Sequence, residues 1–214
     1  MSDFDKRDTV VSPAVVKRLP RYYRYLRMLF IENKLRISSS ELSELMGVTS
    51  SQIRQDLNCF GGFGQQGYGY NVTYLYGKIS EILGVNENYT AIIIGAGKLG
   101  QALASSPLFT KRGVEVVALF DLDPEKIGKT VDDRPILPIE ELEGFCKKHK
   151  VDIAVLTLTA TSASEMRQRL ENIDIPGIWN FTSVEISSKK SIVENVHLGD
   201  SLMTLCYEMR KGTK

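Results

Sequence analysis

Glycines Gly95, Gly97 and Gly100 stand at G-x-G-x-x-G spacing directly behind the apolar run Ala91-Ile92-Ile93-Ile94. Residues in this order suit the pyrophosphate of a dinucleotide. The first glycine permits a sharp turn out of a strand, the second lets the backbone approach the phosphates, and the third lets the next helix pack on the strand. The anion would sit at that helix's N-terminus. Asp121 follows about 20 residues later, at the end of a second apolar run, Val114 to Phe120. An acid there accepts the hydroxyls of an adenosine ribose and repels the extra phosphate of NADP, so NAD is favoured. The expected contacts are Gly95, Ala96, Gly97, Lys98, Leu99, Gly100 and Asp121, with Asp123 a weaker substitute beside Pro124. Thr157, Leu158 and Thr159, followed by Thr161 and Ser162, lie past a third apolar run, at the strand end where ligands bind in parallel sheets. The same hydroxyls would equally cap the next helix.

A second set of residues suits nucleic acid. Thr49 and Gln52 have capping-box spacing and open a short helix that buries Ile53 and Leu57 and exposes Ser50, Ser51, Gln52, Arg54, Gln55 and Asn58. Arg54 and Gln55 are of the types that read guanine and adenine edges in the major groove, and Ser50 and Ser51 suit phosphates. Upstream, Lys17, Arg18, Arg21, Arg24, Arg27, Lys34 and Arg36 face only Glu32 across residues 10 to 36. Such a cluster faces a polyanion or is simply a solvated helix face.

These residues need elements to hold them. Ser12-Pro13 starts a helix running to about Asn33, with Val15, Val16, Leu19, Tyr22, Tyr23, Leu26, Leu29 and Phe30 inward. Pro20 should kink or interrupt it. Ser38 and Glu41 form a capping box for a second helix that turns Leu42, Leu45 and Met46 inward and ends at Gly47. With the Thr49 helix this makes a helix-turn-helix. Gly61 to Val72 reads as a hairpin with Gln65, Gln66 and Tyr68 at its tip, a wing that would complete a winged helix. A glycine-rich loop on a helical protein-interaction module is the other reading. Tyr74 to Leu83 is a further amphipathic helix, and Gly84 to Asn88 marks a boundary.

Beyond it, strands and helices alternate: helix Lys98 to Ser105, edge strand Arg134 to Leu137, helix Ile139 to Lys148, strand Val151 to Leu158, helix Ser164 to Glu171 and strand Gly177 to Phe181. This is the pattern of a doubly wound parallel sheet, a Rossmann-type α/β fold. Gly199 to Arg210 has helical spacing (Leu202, Leu205, Cys206, Met209) and cannot bury that stripe alone. The expected organisation is a winged-helix domain over residues 1 to 84, an NAD(H)-binding domain over 85 to 198, and a terminal helix over 199 to 214.

The net charge of +1 hides an asymmetry: residues 1 to 80 hold 11 Lys/Arg against 7 Asp/Glu, and the remainder 16 against 19. No apolar run approaches the ~18 to 20 residues of a membrane helix, and Met1 to Asp8 lacks a signal peptide's apolar core, so the expected location is cytoplasmic. Cys59, Cys146 and Cys206 are odd in number and lack metal-ligand spacing, which indicates neither a disulfide frame nor a zinc site and suits reduced, structural thiols. A dehydrogenase needs a proton-transfer group and a substrate pocket. His149 follows two lysines on an apparent surface helix, His197 is a lone histidine, and the first 84 residues leave no room for a substrate domain. No catalytic residue is assigned. A nucleotide fold without hydride chemistry suits a sensor; a small NAD-dependent oxidoreductase with an accessory DNA-binding module is the alternative, and a regulator with another nucleotide is a third.

Five segments together resemble the Rex family of bacterial redox-sensing transcriptional repressors: KRLPRYYRYL (17 to 26), QIRQDL (52 to 57), FGGFGQQGYGY (60 to 70), IGAGKLG (94 to 100) and WNFT (179 to 182). The resemblance implies a homodimer that binds a palindromic operator in double-stranded DNA, Rossmann domains that bind NADH and NAD+, and a terminal helix swapped onto the partner. It implies release from DNA when NADH binds. Lys17, Arg18, Arg21, Ser50, Ser51, Gln52, Arg54, Gln55, Asn58, Gln65, Gln66 and Tyr68 are the implied DNA contacts, and Asn180 and Phe181 join the cofactor contacts. The chain departs from the family in carrying Gln at 55 and 66, where a basic residue is expected, Ser106 where relatives carry Tyr, and His197 where they carry Asp. With Arg27, Ser106 and His197 match a network that couples nicotinamide state to domain geometry. A histidine there would add pH sensitivity.

Overall fold

The computed structural model describes residues 11–61, 63–65 and 68–212. The chain divides into two compact units, Met1–Asn86 and Glu87–Lys214.

In the first unit, helix α1 (Pro13–Ile31) is capped by the Ser12 side chain, which accepts from the Val15 N–H. Val15, Leu19, Tyr22, Leu26 and Leu29 are buried, whereas Val16 and Phe30, expected inward, are 47% and 42% exposed. α1 runs unbroken through Pro20, contrary to the expected interruption. Proline deprives only the carbonyl four residues back of its helical donor, and that residue, Val16, lies on the solvent side while Leu19 and Tyr22 anchor the helix on either side of the proline. Strand β1 (Arg36–Ile37) precedes α2 (Ser39–Met46), whose Ser38–Glu41 capping box forms in full and whose chain reverses at Gly47 with φ 59°. Leu42 and Met46 are buried, but Leu45 is exposed.

Helix α3 (Ser50–Asn58) completes a helix-turn-helix. β2 (Gly64–Gln65) and β3 (Gly69–Asn71) form the wing, and β1, which the sequence pattern does not disclose, pairs antiparallel with β3 to give the order β1-β3-β2. Gly69 has φ 68°, and a Cβ there would lie 2.6 Å from the Ile37 carbonyl oxygen, so this strand pairing requires glycine. Helix α4 (Val72–Ile82) starts two residues before its expected position because the Asn71 side chain caps it. One core, including Leu19, Tyr22, Leu26, Ile37, Ile53 and Leu75, unites these elements.

In the second unit, β4 (Tyr89–Ile94), α5 (Lys98–Ala104), β5 (Val114–Asp121), β6 (Thr130–Val131), β7 (Arg134–Pro138), α6 (Leu142–Lys148), β8 (Ile153–Leu156), α7 (Ala160–Glu171), β9 (Gly177–Asn180), β10 (Ile192–Asn195) and α8 (Leu198–Gly212) follow in order. The sheet order is β10-β9-β8-β4-β5-β7-β6, and every pairing is parallel except that of β6 with β7. The edge is therefore β6, and the expected edge strand at 134 to 137 lies inside it. β10, which the sequence pattern does not disclose, pairs with β9. Alternate residues of β4 feed opposite cores: Ile92 and Ile94 join Phe120, Leu142 and Leu156, while Ala91 and Ile93 join Val116, Leu119 and Val155. A strand covered on both faces reads as a continuous apolar run, as it does here. No residue of α8 is buried.

Candidate functional site

Two groups of residues collect around separate elements. In the second unit the carboxyl ends of β4, β5 and β8 open on a cleft of about 430 Å³, lined by Gly95, Gly97, Asp121, Lys126, Thr157 and Met166, among others. Its size suits a small-molecule ligand. Gly95 turns out of β4 with φ 105°, and a Cβ there would lie 2.7 Å from the Thr157 carbonyl oxygen. A Cβ on Gly100 would run into the Gly95 carbonyl oxygen, so the turn and α5 approach as closely as glycine allows. At Gly97 nothing lies within 4 Å of the corresponding position: the second glycine leaves its backbone open, as a pyrophosphate requires.

Side chains fix the turn. Asp121 Oδ2 accepts the Ala96 N–H at 2.7 Å and Oδ1 accepts the Asp123 N–H at 2.9 Å. Thr157 Oγ1 donates to the Gly95 carbonyl at 2.7 Å, and Gln101 Nε2 to the Ala96 carbonyl at 2.9 Å. Thr159 caps α7 through the Ser162 N–H, so the capping reading of the threonines holds for Thr159, whereas Thr157 braces the glycine turn. Lys126, which the sequence reading did not assign, bridges Asp121 at 3.3 Å and Asp123 at 3.2 Å. Partial burial works against its charge, but the two carboxylates outweigh that and raise its pKa. The glycine cradle, the open Gly97 backbone and the acid at the end of β5 fit a dinucleotide with an unphosphorylated ribose.

Asn180 is completely buried. Its Nδ2 donates to the Val184 carbonyl and to Asn195 Oδ1, both at 2.7 Å, and its Oδ1 accepts from the Thr182 N–H and hydroxyl. That exhausts the carboxamide, and the Asn180 carbonyl accepts the Val196 N–H at 2.8 Å, so the residue expected among the cofactor contacts is spent inside the fold. Phe181 stands against Trp179, ring centres 4.6 Å apart, and Trp179 against Phe109. Lys98 and Leu99 open α5 at the cleft's edge, and Leu158 lines the cleft.

In the first unit Lys17, Arg21, Ser51, Arg54, Gln55 and Asn58 are exposed on α1 and α3. Ser50, expected exposed, is half-buried against the Ser43 hydroxyl at 3.1 Å. Arg54 reaches Ser39 Oγ at 3.1 Å, which steadies it along the surface. Arg18 behaves differently: its guanidinium forks onto Asp56, Nε to Oδ2 and Nη2 to Oδ1, both at 2.7 Å. Tyr22 donates to Oδ2 at 3.0 Å and Gln52 Nε2 to Oδ1 at 2.8 Å. The Thr49–Gln52 box therefore forms only in its first half, because the carboxamide turns to the acid one turn on. Burial of Asp56 opposes ionisation, yet Arg18, Gln52 and Tyr22 hold its pKa below the usual carboxylate value. Asp56 was missed because its inward position is explained by a partner 38 residues upstream; the only local signal is an acid four residues after Gln52. On the wing Tyr68 is 70% exposed under the Arg36 guanidinium, which donates to the Tyr68 carbonyl at 3.2 Å. The backbone of Gln65 pairs with Gly69, and Gln66 lies outside the described residues. Arg27 is exposed on α1; Ser106 and His197 stand half-buried in the second unit, where the Ser106 hydroxyl accepts the Leu108 N–H and the His197 carbonyl accepts the Asp200 N–H.

Comparisons with known proteins match these two groups to two families of domains. Residues 10–58 match the model "Putative DNA-binding protein N-terminus", and residues 86–184 match the model "CoA binding domain". A redox-sensing transcriptional repressor Rex of Caldicellulosiruptor bescii is 52% identical over 202 residues, covering 94% of this chain and 93% of the relative. The chain belongs to the Rex family of redox-sensing transcriptional repressors. Two solved structures of RSP resemble it throughout. The complex of RSP with NAD+ and operator DNA has TM-score 0.90 and 48% identity, covering 96% of this chain and 95% of that one. The complex with NADH has TM-score 0.88 and 45% identity, covering 96% and 97%. Like these relatives, the chain is a regulator with an N-terminal DNA-binding domain and a Rossmann-like sheet. Among the described residues no group of three His, Cys, Asp or Glu could hold a metal, and no helix is long and apolar enough to cross a membrane.

Proposed function

We propose that this Rex-family chain is an NADH-responsive repressor: as a homodimer it holds a palindromic operator while NADH is low and leaves it when NADH binds. The observation that carries this reading is the pair of RSP complexes, one with NAD+ and operator DNA and one with NADH, each matched over 96% of this chain. In the cleft Gly95, Ala96, Gly97, Lys98, Leu99 and Gly100 form the phosphate cradle and Asp121 takes the adenosine ribose. Thr157, Leu158, Thr159 and Phe181 border the nicotinamide side. On DNA, Arg54 and Gln55 read base edges, Ser50, Ser51 and Asn58 flank them, and Lys17 and Arg21 meet phosphates. Gln65, Gln66 and Tyr68 are the further DNA contacts. Gln55 and Gln66 form fewer phosphate contacts than basic residues would, which lowers the salt dependence of binding.

NADH shifts the equilibrium only if it binds the DNA-free arrangement more tightly than the DNA-bound one. Arg27 on α1 and Ser106 and His197 on the second unit are the proposed reporters of cofactor state. Helix α8, none of whose residues is buried, packs onto a second copy, which gives the dimer that paired half-sites need. The protein acts in the cytoplasm and consumes no cofactor.

The test is a gel-shift titration on DNA upstream of the chain's own gene with NADH, NAD+, NADPH and coenzyme A. Release by NADH alone is the expected result. Release by coenzyme A or NADPH would assign the cleft to a phosphorylated ribose and remove the role given to Asp121.

A further inference from the structure

The Asp56 carboxylate is 1% exposed and receives four donors, two on each oxygen. An ionised carboxylate has about four acceptor positions, so this one is filled. Three of the donors serve stability in the ordinary way: the Arg18 fork neutralises a buried charge and ties α1 to α3, and the Tyr22 hydroxyl fills the remaining position. The fourth donor, Gln52, is on the same helix one turn earlier and is half-buried. A free glutamine side chain on a helix surface samples several rotamers, and its amide flips between two orientations. Gln52 cannot, because only its nitrogen can donate to a carboxylate that has no proton to give.

We propose that Asp56 is the positioning residue for base reading by Gln52, and that Gln52 so held reads an adenine in the major groove. A primary amide carries one N–H on the edge it shares with its oxygen and one on the far edge. Assigning the far-edge proton to the contact with Asp56 leaves the shared edge, an N–H beside a C=O, which is the donor and acceptor pair that matches N7 and N6 of adenine. The amide is then ordered before DNA arrives, and the rotamer entropy of fixing it is not charged to binding. Arg18 and Tyr22 act one step further back, by keeping Asp56 ionised and fixed. Arg18 therefore serves the DNA surface through Asp56 rather than as a phosphate contact.

The experiment is selection of bound duplexes from a random-sequence pool by the full-length chain and by its Gln52→Ala, Asp56→Asn and doubly substituted variants, each shown by thermal melting to be folded. The base-preference profile is the readout. Gln52→Ala is expected to erase one adenine position in each half-site, a loss of about 5- to 150-fold in discrimination there. Asp56→Asn is expected to weaken the same position and leave the others, and the double variant to do no more than Gln52→Ala. Where Asp56→Asn does not melt as a folded chain, Asp56→Glu, which keeps a charge for Arg18 and displaces the oxygen that holds Gln52, is read in the same way. The proposal is overturned if no adenine position depends on Gln52, if the Asp56 variant keeps that position at full strength, or if it flattens every position alike.

Discussion

The carboxylate of Asp121 accepts the Ala96 N–H at 2.7 Å, so the acid that ends β5 and the glycine turn that follows β4 hold each other. One carboxylate thus shapes the phosphate turn and stands at the ribose position. Asp121→Ala removes both roles and leaves Lys126 without its 3.3 Å partner. NADH binding is expected to weaken by about 1.5 to 3 kcal/mol, the range for a hydrogen bond to a charged group. The Lys126 ammonium, then shared with Asp123 alone, should at the same time improve NADPH relative to NADH. Calorimetric titration of both nucleotides checks this, and operator affinity without cofactor should stay at its wild-type value.

Gly100→Ala tests the cradle from its other side. A methyl there meets the Gly95 carbonyl, so α5 must move away from the turn, at about 1 to 3 kcal/mol as for other overpacked sites. The variant is expected to fold, bind operator and ignore NADH. Loss of operator binding would show that the two units do not divide the labour as assigned.

Acid should weaken the DNA-binding unit. Hydrogen bonds from Lys34 and from Ser38 pull the pKa of Glu41 from 4.5 to about 2; in Asp56, burial works in the opposite direction but Arg18, Gln52 and Tyr22 still leave the pKa lowered. A carboxylate whose folded pKa is depressed stabilises the fold above its unfolded pKa, and that stability drains away as pH falls through the folded one. Thermal melts should be flat above about pH 5 and decline steadily between about pH 4.5 and 2. Glu41→Gln should flatten part of the decline. Because the Glu41 side chain is 49% exposed, added salt should shrink its share.

Local pattern made much of the fold legible before any coordinates. Ile92, Ile93 and Ile94 form an uninterrupted apolar strand, the three glycines sit beside it in sequence, and Ser38 with Glu41 announces its own helix. What escaped depends on distant partners. β1 has two residues and exists only because Asn71 and Tyr70 pair with Arg36 and Ile37. Asp56 faces inward because Arg18 meets it from another helix, and the carboxylate draws Arg18 from a generic basic face, and Gln52 from the exposed side of its own helix, into a defined network. Pro20 was read by a local rule that the packing of Leu19 and Tyr22 overrides. Asn180 was assigned by resemblance, and its side chain turned out to be spent inside the fold.

The stripe on α8 gives an oligomer test. Leu202, Leu205 and Met209 are 60%, 55% and 65% exposed on a helix with no buried residue, a surface that water does not favour. Leu202→Glu with Leu205→Glu is expected to convert a dimer to a monomer in sedimentation velocity and to lower affinity for a two-half-site operator far more than for a single half-site. Unchanged sedimentation would place the dimer contact elsewhere.

The central claim is that cofactor in the cleft controls grip on DNA without being consumed. The most direct measurement is operator affinity by fluorescence anisotropy, in one titration series with NADH and one with NAD+, followed by recovery of the NADH. The expected result is loss of the complex with NADH, retention with NAD+, and NADH returned unoxidised. Equal effects of the two nucleotides, or steady oxidation of NADH, would contradict it.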